Sequence, residues 1–277
     1  MPAGTLYIVA TPIGNLEDIT LRALRVLKEA DLVAAEDTRH SRKLLTHFGI
    51  SRPLTSYFDH NKDLKGDYIL ERLQQGLNVA LVTDAGTPCI SDPGYQLVRD
   101  AVAAGIPVVP IPGACAAIAA LSASGLATDY FSFAGFLPNR QGKRRERLQS
   151  LAGERALLIF YESPKRVLAT LRDMLETLGD REVVVARELT KMYEEFLRGR
   201  LSTLIEQAEQ REIRGEVAIL VTPADKPELP DTPEMEGLLS RYLASGELSL
   251  KDAVKKVTLE TGLPKSAVYA EALRQKG

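Results

Sequence analysis

Short loops that follow apolar runs hold most of the residues in this 277-residue chain that could do chemistry. The richest is Asp84-Ala85-Gly86-Thr87-Pro88, which ends the run Val79 to Val82 and leads at once into Ser91-Asp92-Pro93-Gly94. Gly86 and Gly94 can take positive φ or admit a ligand close to the main chain, while Pro88 and Pro93 fix φ. Such a loop offers backbone groups more than side chains, which suits a polar ligand. A second loop, Glu36-Asp37-Thr38-Arg39-His40, sets two carboxylates beside a guanidinium and an imidazole. It reads either as a polar reaction floor or as helix capping with a surface ion pair. Thr11-Pro12-Ile13-Gly14-Asn15 follows another apolar run, and Tyr57 to Asn61 sets His60 and Asn61 after a third. Pro112-Gly113-Ala114-Cys115-Ala116 opens a small-residue helix whose first amides are free. Further along, Tyr161-Glu162-Ser163-Pro164-Lys165-Arg166 and Arg187-Glu188-Leu189-Thr190-Lys191 supply cationic and hydrogen-bonding groups to a substrate.

Familiar chemistries are missing from these loops. There is no GxGxxG after the first run, no GxxxxGK[ST] phosphate loop and no GxSxG elbow. Two cysteines and three histidines give no metal-ligand spacing, so neither a disulfide scaffold nor a metal is expected.

The elements that must position the loops alternate. Strands are expected at Thr5 to Ala10, Leu32 to Ala35, Leu54 to Phe58, Val79 to Val82 and Val108 to Ile111. Helices fall between them, several stopped by a glycine such as Gly49, Gly76 or Gly105. Near-continuous apolar strands with helical crossovers imply a sheet covered on both faces, and ligands gather at the carboxyl ends of its strands. The pattern changes near Ser122, where Phe131, Phe133 and Phe136 enter beside the turn-rich Leu137 to Gly142. A second α/β block follows, with strands at Ala156 to Tyr161, Val183 to Ala186 and Val217 to Thr222. The segment Lys191 to Gly199 fits either a strand pair or a loop. The expected organisation is an α/β domain over 1–122, a second over 123–223, a proline-rich linker over 224–233 and a helical extension over 234–277. Two helices of that extension flank Gly262-Leu263-Pro264, giving either a helix-turn-helix unit or a small helical cap. A ligand would lie in the cleft between the two α/β blocks.

A net charge of −2 argues against a uniformly basic coat, although phosphate attraction depends on local clustering. Arg39, Arg42 and Lys43 form one basic cluster, and Lys143, Arg144, Arg145 and Arg147 form another. Each is either a phosphate-docking patch or a solvated helix end. No apolar run is long enough to cross a bilayer, the opening MPAGTLYIVATP has no signal-peptide core, and a cytoplasmic location is expected.

Taken in order, VATPIGNLEDIT, VTDAGTPCISDPGY and PIPGACAAIAALSASGL resemble the tetrapyrrole methylase family. AEDTRHSRKLL, FAGFLP, FYESPKR, ARELTK and RGEVAILV resemble the branch of that family acting on ribosomal RNA. The similarity runs from about Leu6 to Val221, and the tail SLKDAVKKVTLETGLPKSAVYAEAL resembles a helical extension found in many members. The resemblance implies a two-domain α/β fold with S-adenosyl-L-methionine in the interdomain cleft. It implies methylation of a cytidine ribose 2'-hydroxyl in the decoding region of 16S ribosomal RNA, with the RNA or the small ribosomal subunit as partner. A homodimer away from membranes is implied as well. Asp84, Ala85, Gly86, Thr87, Pro88, Ser91, Pro12, Pro112 and Gly113 would then line the cofactor pocket. A tetrapyrrole-precursor methyltransferase and a non-enzymatic RNA-binding assembly factor are the alternatives.

A neutral ribose hydroxyl is a poor nucleophile, so transfer to it requires a base or charges that favour the alkoxide. Glu36 or Asp37 is expected to accept the proton, with His40 and His60 as weaker candidates. Arg39, Lys165 or Arg166 would stabilise oxygen charge or hold a neighbouring phosphate. Arg42, Lys43, Lys143 and Arg144 would dock phosphates, and His60, Asn61, Tyr161, Glu162 and Arg187 would complete the substrate site.

Overall fold

Alternate residues of the first apolar strands face opposite ways, and each set meets its own pair of helices. In the computed structural model β1 (Leu6–Val9), β2 (Leu32–Ala35), β3 (Leu54–Ser56), β4 (Val79–Val82) and β5 (Val108–Ile111) form a parallel sheet in the order β3-β2-β4-β1-β5. Val33, Ala35, Ala80 and Val82 pack against α1 (Leu21–Glu29) and α2 (Thr38–His47) through Ala23, Val26, Leu27 and Leu45. Leu32, Ala34, Val79 and Leu81 pack on the other face against α3 (Lys62–Gln74) and α4 (Tyr95–Ala103), through Ile69, Leu73, Leu97 and Ala101. Double coverage explains why every residue of β2 and β4 is buried. Because the strands are parallel, the loops after β1, β2, β4 and β5 emerge at one edge.

The second sheet is mixed. β6 (Phe131–Phe136) runs parallel to β7 (Leu157–Glu162), while β8 (Glu182–Arg187), β9 (Glu195–Arg200) and β10 (Val217–Val221) join antiparallel, in the order β6-β7-β10-β8-β9. α6 (Gln141–Leu151), α7 (Val167–Leu178) and α8 (Leu201–Gln210) cover one face with Leu148, Leu171, Met174 and Leu204. The other face receives α5 (Ala116–Ser124), whose Ala117, Ala120 and Leu121 meet Leu157, Ile159, Val184 and Leu220. α5 thus follows the first sheet in sequence but packs on the second. The open choice at Lys191 to Gly199 resolves as part turn and part strand: 191–194 are turn, and β9 from Glu195 pairs antiparallel with β8. β6 was not expected: it is an edge strand, exposed at both ends, and its register shifts between Phe133 and Gly135.

The described residues are 2–58, 62–223, 233–244, 248–261, 263 and 265–276. His60, Asn61, most of the proline-rich linker, and Gly262 and Pro264 lie outside them. The chain divides into two compact units, Met1–Pro223 and Ala224–Gly277. Within the second, α9 (Pro233–Ala244), α10 (Leu250–Thr261) and α11 (Lys265–Lys276) bury Leu239, Val254, Val257, Val268 and Ala272 together.

Candidate active site

Hydrogen bonds lace the loops at the carboxyl edge of the first sheet to one another. Thr11 and Gly86 exchange backbone bonds of 2.8 and 3.0 Å, and the buried Thr11 hydroxyl donates to the Thr83 carbonyl at 3.2 Å. The Thr87 hydroxyl donates to the Ala114 carbonyl at 3.0 Å, tying the β4 loop to the β5 loop. The Thr83 hydroxyl donates to Glu36 at 2.6 Å, and the Asp37 amide donates to the Asp84 carboxylate at 3.1 Å. These bonds hold the β4 loop in a strained shape. Gly86 sits at φ 87°, and Cys89 and Ser91 sit at 72° and 65°, where a side chain costs roughly 1–2 kcal/mol per residue.

Between this edge and the second sheet lies a cavity of about 420 Å³, within the range of small-molecule sites. Ala85, Gly86 and Thr87 form one wall; Ile13, Ala186, Leu189 and Ala218 form an apolar one. A Cβ on Gly86 would meet Ile13 at 3.4 Å, an ordinary contact, so it is the positive φ that calls for glycine at this wall. Glu36, Asp84 and Asp92 contribute carboxylates. Burial, then the Glu36 charge, pushes the Asp92 carboxyl up to about 6. Tyr161 sets its ring edge-on to Phe133 and Phe136, and its hydroxyl accepts the Ala117 amide at 2.9 Å. Burial pushes that phenol well above its ordinary range. A recess of about 470 Å³ adjoins, sharing Ile13, Asp84, Ala85 and Glu216 with the cavity and adding His40, Lys43, His47 and Lys191. At its lip Gly14 abuts Thr190 and Lys191, and a Cβ there would come within 2.9 Å of the Thr190 hydroxyl.

Small residues, a close backbone and an acidic lining suit a ligand that is part adenosine-like and part cationic. Backbone groups of the Ala85 to Thr87 stretch and the apolar wall would hold it, and the carboxylates would face its positive charge.

Of the residues expected at the site, Glu36, Asp84, Ala85, Gly86, Thr87 and Ser91 line the cavity, as do Tyr161 and Glu162. Pro12 and Lys43 line the recess. Pro88, Pro112 and Gly113 lie outside both linings; a Cβ on Gly113 would sit 2.8 Å from that of Ala10, so this glycine serves the packing of the β5 loop on β1. Arg42 joins Arg39 and Lys43 on the open face of α2, Lys143 is exposed on α6, and Lys165 is exposed on the turn after β7.

Five expectations need correction. Asp37 caps α2 through the Arg39 amide at 2.8 Å, and the Arg39 guanidinium holds its carboxyl far below the usual carboxylate range, which makes it a poor base. Arg39 is correspondingly occupied by Asp37 and points to solvent. Arg144 is buried against Asp173 at 2.6 Å and donates to the Asn139 carbonyl, so it cannot dock phosphate. Arg166 is bound to Glu162, which also accepts from Thr170 at 2.7 Å and from the Ser163 amide at 2.7 Å, so this pair is structural. Arg187 bonds the Arg214 carbonyl and Glu195 and borders a different depression, away from the cavity. Asp92 is the site residue the sequence reading passed over, because SDPG reads first as a turn.

Comparison with known proteins places these features. The model for Tetrapyrrole (Corrin/Porphyrin) Methylases matches residues 5–205, and that for the RsmI C-terminal HTH domain matches residues 230–276. A ribosomal RNA small subunit methyltransferase I from Halalkalibacterium halodurans is 51% identical, covering 96% of this chain and 93% of its own. Its counterpart in Pseudomonas aeruginosa is 49% identical, covering 100% and 99%. Among solved structures, uroporphyrin-III C-methyltransferase from Thermus thermophilus complexed with S-adenosylhomocysteine superposes with a TM-score of 0.55 at 21% identity, covering 79% of this chain and 97% of that one.

Proposed function

The chain belongs to the tetrapyrrole methylase family, and from that premise we propose that it methylates the 2'-hydroxyl of a cytidine ribose in the decoding region of 16S ribosomal RNA. The observation that carries this reading is the 51% identity, over nearly the whole chain, to a relative named for methylating small-subunit ribosomal RNA. A bound S-adenosyl-L-methionine would supply an electrophilic methyl group on a sulfonium that already leaves readily. Main-chain groups of Ala85, Gly86 and Thr87 hold the cofactor, with Ser91 beside them and Pro12 at the adjoining recess. Ile13, Leu189 and Ala218 would exclude water from its apolar part, and Glu36 and Asp84 would set a negative field around its charge. His40, Lys43, His47 and Lys191 flank the adjoining recess, where an RNA backbone would enter. Holding the hydroxyl close to the methyl carbon supplies much of the rate.

The helices after Pro233 act as the RNA- or ribosome-binding module, and the enzyme works as a cytoplasmic homodimer. No helix among the described residues is long and apolar enough to cross a membrane. Labelled-methyl transfer to unmodified small-subunit RNA or particles, followed by nucleoside analysis, tests the assignment. Label on a cytidine 2'-oxygen is the expected result. Label on a base, or transfer only to a tetrapyrrole precursor, overturns it.

A further inference from the structure

We propose that the Asp92 carboxylate is the base that takes the proton from the attacking ribose hydroxyl. The inference deepens the methyl-transfer reading and rests on it. Five carboxylates border the cavity, and hydrogen bonds sort them; Glu216 is bound by Lys191 at 3.1 Å. Glu162 is saturated by Arg166, Thr170 and the Ser163 amide. Glu36 accepts a hydrogen bond from the Thr83 hydroxyl at 2.6 Å, and Asp84 accepts one from the Asp37 amide at 3.1 Å, so both are engaged in holding loops together. Asp92 is partly buried on the same wall, on the strained loop between Ser91 and Gly94, and among the described residues its one side-chain hydrogen-bond partner is the Thr83 hydroxyl it shares with Glu36.

The groups facing Asp92 come from two elements besides its own: Glu36 stands after β2 and Tyr161 on β7, while Thr83, Asp84 and Cys89 share the β4 loop with it. Two of these are like charges. No lysine or arginine is among the described residues lining the cavity. Asp92 therefore sits where its negative charge is disfavoured and a proton is welcome. A carboxyl that ionises near 6 is charged at neutral pH yet remains a better proton acceptor than an ordinary one. In the transfer the hydroxyl oxygen forms the new O–C bond, and the C–S bond breaks with its electron pair left on a neutral thioether. The hydroxyl proton passes to Asp92 and from there to water.

The test pairs Asp92→Asn with Asp92→Glu. In the ligand-free protein, the carboxyl ¹³C resonance lost in D92N should titrate near pH 6 in the wild type. S-adenosylhomocysteine should bind both variants within about threefold of wild type by calorimetry. Single-turnover transfer to unmodified small-subunit particles should rise with pH through one ionisation in the wild type, displaced downward from the ligand-free value by the bound sulfonium. It should fall at least a hundredfold and lose that ionisation in D92N, and recover in part in D92E. A D92N rate within threefold of wild type with the same pH profile rejects the base. So does loss of S-adenosylhomocysteine binding in D92N, which would make Asp92 a cofactor ligand. A wild type that labels no ribose rejects the functional reading itself, and the base falls with it.

Discussion

What each ionisable side chain can do here depends on how many partners it already has. Arg144 and Asp92 mark the two extremes. Burial works to raise the Asp173 carboxyl, but Arg145, Gln141 and Arg144 outweigh it and hold it below the ordinary range. Arg144→Ala should therefore cost about 3 kcal/mol at pH 7, read as a lower urea midpoint, because a buried carboxylate loses its best-buried partner. Asp173 contributes stability above its unfolded pKa and loses it as the pH falls through its lower folded one, so the deficit of the variant should shrink under acid conditions. Asp92 runs the other way. The unfolded chain releases this proton near 3.8 and the folded chain near 6, so native stability declines across that window and stays lower above it. Asp92→Asn should be more stable than wild type above pH 6, by on the order of 1–2 kcal/mol, and show no advantage below pH 4 in urea titrations. Neither behaviour was legible in the sequence. The basic cluster Lys143, Arg144, Arg145 and Arg147 reads as a phosphate-docking patch or a solvated helix end, and only the fold brings Asp173, 29 positions beyond Arg144, against it. Asp92 looks like a turn residue until Glu36, from the loop after β2, and Asp84, from the start of its own loop, are seen beside it.

Among the elements, those with two covered faces were the most readable. β2 and β4 are wholly apolar, and a glycine or a capping residue punctuates the helices around them, so their bounds in the structure match the expected ones to the residue. β6 escaped because an edge strand needs only one partner and can leave Phe131 and Phe136 in solvent. The mixed direction of the second sheet is likewise a matter of tertiary pairing, which strand composition does not encode. α2 shows the other limit: its sequence announces a basic helix, and the structure adds that Arg42 and Lys43 share an open face while Lys43 reaches the recess. Replacing Arg42 and Lys43 together by alanine should weaken binding to small-subunit RNA. The slope of log affinity against log salt should become shallower by about 1 per lost phosphate contact. S-adenosylhomocysteine affinity should be unchanged in the same preparation.

At the scale of the whole molecule, the boundary after Pro223 separates two units with cores of their own. Deleting 224–277 should leave S-adenosylhomocysteine affinity intact while raising KM for the ribosomal particle, measured by calorimetry and steady-state transfer. If those helices were only a stabilising cap, the deletion would lower the melting temperature and spare KM. Within the first unit the two sheets meet at the lip of the recess, where Gly14 lies against Thr190 and Lys191. Lys191 is itself anchored there by Glu188 at 2.9 Å and Glu216 at 3.1 Å, so the wall it belongs to has little freedom to retreat. The absence of a single methyl group at position 14 thus gauges how tightly the two lobes close. Any larger residue would act as a shim, prising the jaws apart and letting solvent reach the reacting centre even though each lobe kept its own architecture.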